Sequence, residues 1–80
     1  MRGGWRTAIK HREYEEAMIH DYIRECLSGD TTHLKELVAF HSRDLENSRL
    51  VSAIIRQELL VDEVEAVAQY EELRAQLSTS

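Results

Sequence analysis

The sequence predicts an all-α fold, either a helical hairpin or a three-helix bundle with a long C-terminal helix, which dimerises into a helical bundle. Two observations carry this prediction. The chain has no proline, and no glycine follows Gly29, so the two strongest helix breakers are missing from there to Ser80. From Leu34 to Leu77, apolar residues also recur at helical spacing, which is typical of a helix with a buried side.

The 80 residues predict one small helical domain over residues 1–80, of which residues 1–6 form a flexible basic arm. A domain of this size has a marginal core unless a metal, a disulfide or a partner helps. Cys26 is the only cysteine, so we expect no internal disulfide and a reducing compartment. No apolar run approaches the roughly 18 residues of a membrane span, and no signal-peptide pattern is present, so we expect a cytoplasmic protein without membrane contact.

The first predicted helix runs from Trp5 to Leu27. Its apolar stripe consists of Trp5, Ala8, Ile9, Ile19, Tyr22, Ile23, Cys26 and Leu27. A turn follows at Ser28 to Thr31, where Gly29 suits the left-handed position after a helix. Asp30 or a following threonine suits the N-cap of the next helix.

The C-terminal segment carries one apolar stripe in continuous phase. Its members are Leu34, Leu37, Val38, His41, Leu45, Ser48, Ile55, Leu59, Ala66, Tyr70, Leu73 and Leu77. As one helix this segment would be roughly 70 Å long. Residues 42–48, with their Ser, Asn and Asp side chains, and residues 61–63, where Asp62 could cap a helix, are its weak points. A break at either place predicts a compact three- or four-helix bundle.

A second apolar stripe lies on roughly the opposite side of the same segment. Its members are Leu50, Ala53, Ile54, Leu60, Val61, Val64, Ala68 and Ala75. Between Leu50 and Val61 the helix is apolar almost all round, so it must be buried on two sides. The first helix can cover only one of them. We therefore expect a homodimer, or a complex with an unidentified protein, with an interface formed by Leu50, Ile54, Val61, Val64 and Ala68.

Charge is distributed unevenly along the chain. The basic segment, residues 1–12, carries four cations and no acid, whereas the remaining residues carry six basic and fifteen acidic side chains. Cations beside an aromatic ring can grip phosphates and a base, so nucleic-acid binding is an alternative function. Its contacts would be Arg2, Trp5, Arg6, Lys10 and Arg12. A solvated segment, or arginines paired with a neighbour's acidic body, explains the same residues.

An acidic ridge is the last candidate surface. Glu58, Glu65 and Glu72 recur every seven residues, and Asp62 lies beside them. Such a row could dock on a basic groove of a partner, or it could be the solvated side between two packed stripes.

Residues with catalytic or metal-binding chemistry form no recognisable motif. Glu16 and His20 are most simply a solvated pair, His41 is either a pH-responsive interface group or a half-buried ring, and Cys26 is an ordinary buried thiol. We expect no enzyme, no cofactor, no metal and no small-molecule substrate. The leading hypothesis is a small non-enzymatic interaction protein, acting as a regulator, inhibitor or assembly adaptor.

Overall fold

Four α-helices and no strand make up the described chain in the computed structural model, which confirms the all-α prediction. The structure describes the backbone of residues 2–79 and the side chains of residues 14–78. The helices are α1 (Arg2–Leu27), α2 (Leu34–His41), α3 (Leu45–Leu59) and α4 (Glu63–Thr79). The molecule measures 45 × 28 × 20 Å, with a radius of gyration of 13.6 Å. A compact domain of this length would have a radius of gyration of about 12 Å, so the shape is elongated.

The turn after α1 forms as the sequence predicts. Gly29 has a φ of +104°, in the left-handed region. Its N–H donates to the Cys26 carbonyl at 3.1 Å, and the Asp30 N–H donates to the Glu25 carbonyl at 2.8 Å. This pair of bonds is a Schellman motif, which satisfies two carbonyls that the end of a helix leaves without partners.

The predicted N-cap of the second helix is wrong. α2 begins at Leu34, and its N-cap residue His33 makes no side-chain capping bond. Asp30 instead accepts a hydrogen bond from the Thr32 N–H at 3.0 Å. The carboxylate therefore closes a tight turn of its own, and the helix starts only after that turn.

The long C-terminal helix is broken at residues 42–44, the first of the two predicted weak points. Asp44 has extended backbone angles and caps α3, because its carboxylate accepts from the Asn47 N–H at 2.9 Å. The Asn47 amide in turn donates to the Phe40 carbonyl at 3.0 Å, which satisfies an acceptor at the end of α2. Side chains that compete for backbone hydrogen bonds thus end one helix and start the next.

A second break lies at residues 60–62, the other predicted weak point. Leu60 adopts left-handed angles, φ 57° and ψ 48°. The Val61 N–H then donates to the Arg56 carbonyl at 3.2 Å, and Asp62 accepts from the Glu65 N–H at 2.8 Å to start α4. The expected long C-terminal helix is therefore wrong, since the segment folds into three shorter helices.

The core is built from all four helices. α3 lies at its centre, in contact with α1, α2 and α4, whereas α1 and α4 hardly touch. The buried apolar residues are Ile19, Ile23, Cys26, Leu34, Leu37, Phe40, Val51, Ile54, Ile55, Ala66, Tyr70 and Leu73. Two ion pairs also join α1 to the rest of the protein: Arg43 to Glu15, through two bonds of 2.6 and 3.1 Å, and Arg24 to Glu58, at 3.2 Å. Among the described residues, none of the helices is both long and apolar enough to cross a membrane.

Candidate interaction surface

Helix α4 carries apolar residues on two opposite sides. Ala66, Tyr70 and Leu73 recur at i, i+4 and i+7 and are buried against the rest of the protein. At 100° per residue, Val64 and Ala68 lie on the opposite side of this helix. Both are exposed, and Val64 shows 80% of its surface. The two-sided apolar pattern predicted for the C-terminal segment is therefore present in α4, where one side stays uncovered.

Leu60 lies at the corner between α3 and α4, four residues before Val64 in the chain. Its side chain is 90% exposed. Among the described residues, Leu60 is the non-glycine residue whose φ angle is positive. In left-handed angles the Cβ atom crowds the following carbonyl oxygen, which costs roughly 1–2 kcal/mol. Leucine at this position therefore lowers stability through the backbone and gains nothing from burial.

We call this surface the outer face of α4, formed by Leu60, Val64, Val67, Ala68 and Ala75. All five are exposed, and Val67 adds a partly covered edge at 44% exposure. Residues 62–79 hold five acidic side chains and one basic side chain. The solvent-exposed side of α4 is therefore an apolar strip on a helix that carries mostly acidic charges.

The predicted interface residues are divided between the core and this face. Ile54 is 3% exposed and lies in the core, and the half-buried Leu50 and Val61 pack against it. Val64 and Ala68 are the two that remain exposed. The division follows from the break at residues 60–62, because α4 folds back and covers the α3 part of the stripe while its own part faces outward.

The predicted acidic ridge does not form one free row. Glu58 accepts a hydrogen bond from Arg24 of α1 at 3.2 Å, and His20 lies 4.0 Å away. Asp62 serves as a helix cap. Glu65 accepts from the Gln69 amide at 3.0 Å, and Glu72 is exposed. Only the α4 members are thus placed beside the outer face.

The predicted nucleic-acid contacts fall outside the described side chains. The structure describes only the backbone of α1 before residue 14. That part of the helix contains all five predicted contacts: Arg2, Trp5, Arg6, Lys10 and Arg12. Nucleic-acid binding stays a prediction from the sequence.

A second apolar surface is a groove of about 230 Å³ between α1 and α2. Met18 and Tyr22 line it from α1, and Ala39 and Phe40 line it from α2. The ion pair of Glu15 and Arg43 borders it, and the Arg43 guanidinium lies 5.5 Å from the centre of the Phe40 ring.

A polar cluster lies inside the bundle where α2, α3 and α4 meet. The His41 ring stacks on Tyr70 with centroids 3.9 Å apart, and its Nε2 lies 3.1 Å from the Ser48 hydroxyl. The Tyr70 hydroxyl is buried and has no hydrogen-bond partner among the described residues. Burial lowers the pKa of His41 and raises the pKa of Tyr70, because the charged form of each side chain is poorly solvated there. Both groups are therefore held neutral.

Cys26 lies in the core as a free thiol. Burial raises its pKa, and the nearby charges of Glu25 and Asp30 raise it further. A thiol in such a setting stays protonated and unreactive. Among residues 14–78, no group of three or more His, Cys, Asp or Glu side chains is placed to hold a metal ion.

Three residues of the outer face were missing from the predicted interface: Leu60, Val67 and Ala75, of which Ala75 lies in the second stripe. Leu60 also lies in the second stripe, but nothing in a sequence shows that a leucine takes left-handed angles. Val67 belongs to neither stripe, although its i+3 spacing from Val64 on the same helix is a signal that could have found it. Comparisons with protein-family models, with curated proteins and with solved structures found no match.

Proposed function

We propose that this chain is a small, non-enzymatic helical interaction protein that recognises a protein partner through the outer face of α4. The observation that supports this most is Leu60, an almost fully exposed leucine with left-handed backbone angles. Glycine would close the same turn without strain. A residue that is unfavourable for both backbone and solvation is explained by a contact made outside the protomer.

The neighbouring residues agree with this role. Val64 and Ala68 continue the apolar strip along α4, and they lie opposite the side that Tyr70 and Leu73 bury. Exposed apolar residues grouped in one strip and surrounded by charges are typical of interfaces between proteins. We infer a regulator, inhibitor or assembly adaptor, and the buried free thiol of Cys26 fits a cytoplasmic setting.

The test uses Leu60→Gly and Val64→Ala, which remove apolar surface without touching the core. Leu60→Gly should raise the melting temperature, because it relieves the left-handed strain of about 1 kcal/mol. Both variants should weaken binding, measured as self-association by sedimentation velocity and as partner recovery by affinity capture from host cells. A variant that gains stability and loses binding cannot act through unfolding.

The matched control is Leu45→Ala, which removes another exposed leucine at the start of α3. It should leave binding unchanged. If Leu60→Gly and Val64→Ala bind as well as the wild type in both measurements, the outer face of α4 is not the interaction surface.

A further inference from the structure

The outer face of α4 lies in a strongly acidic setting. Glu71 and Glu72 flank the strip formed by Val64, Ala68 and Ala75, and both are exposed. Residues 62–79 have a net charge of −4. Pairing α4 with the same helix of another copy would bring like charges together, which is unfavourable. The charge therefore favours a cationic occupant with an apolar side.

The basic segment of this chain has that composition. Residues 1–12 carry a net charge of +4. Within it, Trp5, Ala8 and Ile9 recur at i, i+3 and i+4, the spacing of an apolar stripe on a helix. The same chain thus encodes a basic amphipathic helix and an acidic helix with exposed apolar residues. The net charges of residues 1–12 and 62–79 are equal in size and opposite in sign.

We propose that the outer face of α4 receives the basic segment, residues 1–12, of a second copy of this chain; the inference rests on the proposed function of that face. Within one copy the described backbone keeps the two segments apart, since α1 is one continuous helix from Arg2 to Leu27 and hardly touches α4. Its C-terminal half is fixed in the core by Ile19 and Ile23. At 1.5 Å per residue, residues 2–12 extend roughly 10–25 Å along the helix axis beyond Ile19.

Reciprocal exchange gives a closed dimer. Each copy offers one basic segment and one outer face, so a two-fold arrangement satisfies both pairs at once. A stable interface covers about 800 Å² per partner, more than one short helix supplies, and exchange doubles the contact. Because the attraction is between opposite charges near the surface, association should weaken as salt concentration rises.

The experiment reverses each charge set separately. One protein carries Arg6→Glu and Lys10→Glu in the basic segment, and the other carries Glu71→Lys and Glu72→Lys on α4. Sedimentation velocity at low salt should show that the wild type dimerises, and that each reversed protein alone binds itself about tenfold or more weakly. An equimolar mixture of the two should associate again, because both contacts in the mixed dimer pair opposite charges.

The control for the reversed basic segment carries Lys35→Glu and Arg49→Glu, which make the same change in net charge as Arg6→Glu and Lys10→Glu but at exposed sites on α2 and α3. Far-UV circular dichroism checks that every variant keeps its helix content. The control should dimerise like the wild type, which would show that net charge alone is not responsible.

Three results would overturn this assignment. The first is a wild-type protein that stays monomeric at low salt. The second is a mixture that associates no better than its components. The third is self-association that Val64→Ala abolishes and the charge reversals leave intact. That last result would keep α4 as an interaction surface, whereas failure of the proposed function would show as binding unaffected by Leu60→Gly and Val64→Ala.

Discussion

Two helices of this protein end with the same left-handed closure but with different residues. At Gly29 an added Cβ atom would meet nothing within 4 Å, so glycine is needed there only for its positive φ. At Leu60 the backbone makes an equivalent 6→1 bond, from the Val61 N–H to the Arg56 carbonyl. Folding alone favours glycine at both places. The exception is Leu60, whose side chain is almost fully exposed just before α4 begins.

Tyr70 provides a prediction at the level of a single atom. Its buried hydroxyl has no partner among the described residues. Since a buried hydroxyl without a hydrogen bond costs about 1–3 kcal/mol, Tyr70→Phe should raise the free energy of unfolding by about 1 kcal/mol. The ring that stacks on His41 is retained. Urea unfolding followed by circular dichroism measures the change.

Tyr14→Phe is the control for this prediction, because Tyr14 is 72% exposed and its hydroxyl reaches water. Its stability should stay within about 0.5 kcal/mol of the wild type. A stability loss in Tyr70→Phe would show that the Tyr70 hydroxyl has a partner, such as an ordered water.

At the scale of the elements, two aspartates divide the C-terminal segment into separate helices. Asp44 accepts from the Asn47 N–H, and Asp62 accepts from the Glu65 N–H. Replacing either with alanine should lower the free energy of unfolding by about 1 kcal/mol, because a helix N-terminus then loses a partner. Asp→Asn at each site should retain most of the stability, since an amide oxygen can also accept the bond.

Asp21→Ala is the control for both caps, because Asp21 is exposed in the middle of α1. Thermal unfolding should place it close to the wild type. Equal effects at Asp21, Asp44 and Asp62 would mean that loss of negative charge, rather than loss of capping, changes the stability.

Local signals in the sequence were sufficient to predict the helical class, the turn at Gly29 and the positions of both weak points. They could not show that both weak points break, because a helix end depends on whether folding back buries more apolar surface than continuing. Ile54 was therefore expected at an interface and lies in the core. Val51 fell outside the continuous stripe for the same reason, since the break before α3 resets the helical phase. Phe40 also fell outside it, because the sequence could not show that the chain folds back just after the end of α2.

The candidate surface was predictable only in part. Val64 and Ala68 stood on the second stripe, and they remain exposed because none of the described side chains packs against that side of α4. Glu58 was expected on a free ridge beside them, yet it binds Arg24 of α1. Contacts between residues 34 positions apart in the chain depend on the fold and leave no local signal.

For the molecule as a whole, two histidines act in opposite directions on stability. His33 stacks on Tyr22, and its Nδ1 lies 2.8 Å from the Glu25 carboxylate. That hydrogen bond raises the pKa of His33, with the charges of Glu36 and Asp30 acting in the same direction. Burial beside Ser48 and Tyr70 lowers the pKa of His41. The negative charge of Glu71 opposes this shift, and the positive charge of Arg74 adds to it. The folded protein therefore favours a charged His33 and a neutral His41.

The sign of each effect follows from proton linkage. His33 has a raised pKa, so its contribution is fully present below the ordinary value of 6.5 and is lost as pH rises through the folded pKa. His41 has a lowered pKa, so its contribution is present above 6.5 and is lost as pH falls from there towards the folded pKa. In the wild type the two contributions to the pH dependence of the free energy of unfolding partly cancel.

Separating the two histidines should therefore reveal opposite pH dependences. His41→Gln removes the group whose contribution to stability is lost in acid. As pH falls between about pH 8 and 5.5, this variant should therefore gain stability relative to the wild type. His33→Gln removes the opposing group and should make the loss of stability in acid steeper than in the wild type. Urea unfolding at several pH values gives the slope for each protein. If both variants kept the slope of the wild type, neither the hydrogen bond of His33 to Glu25 nor the burial of His41 would shift the pKa of its histidine in solution.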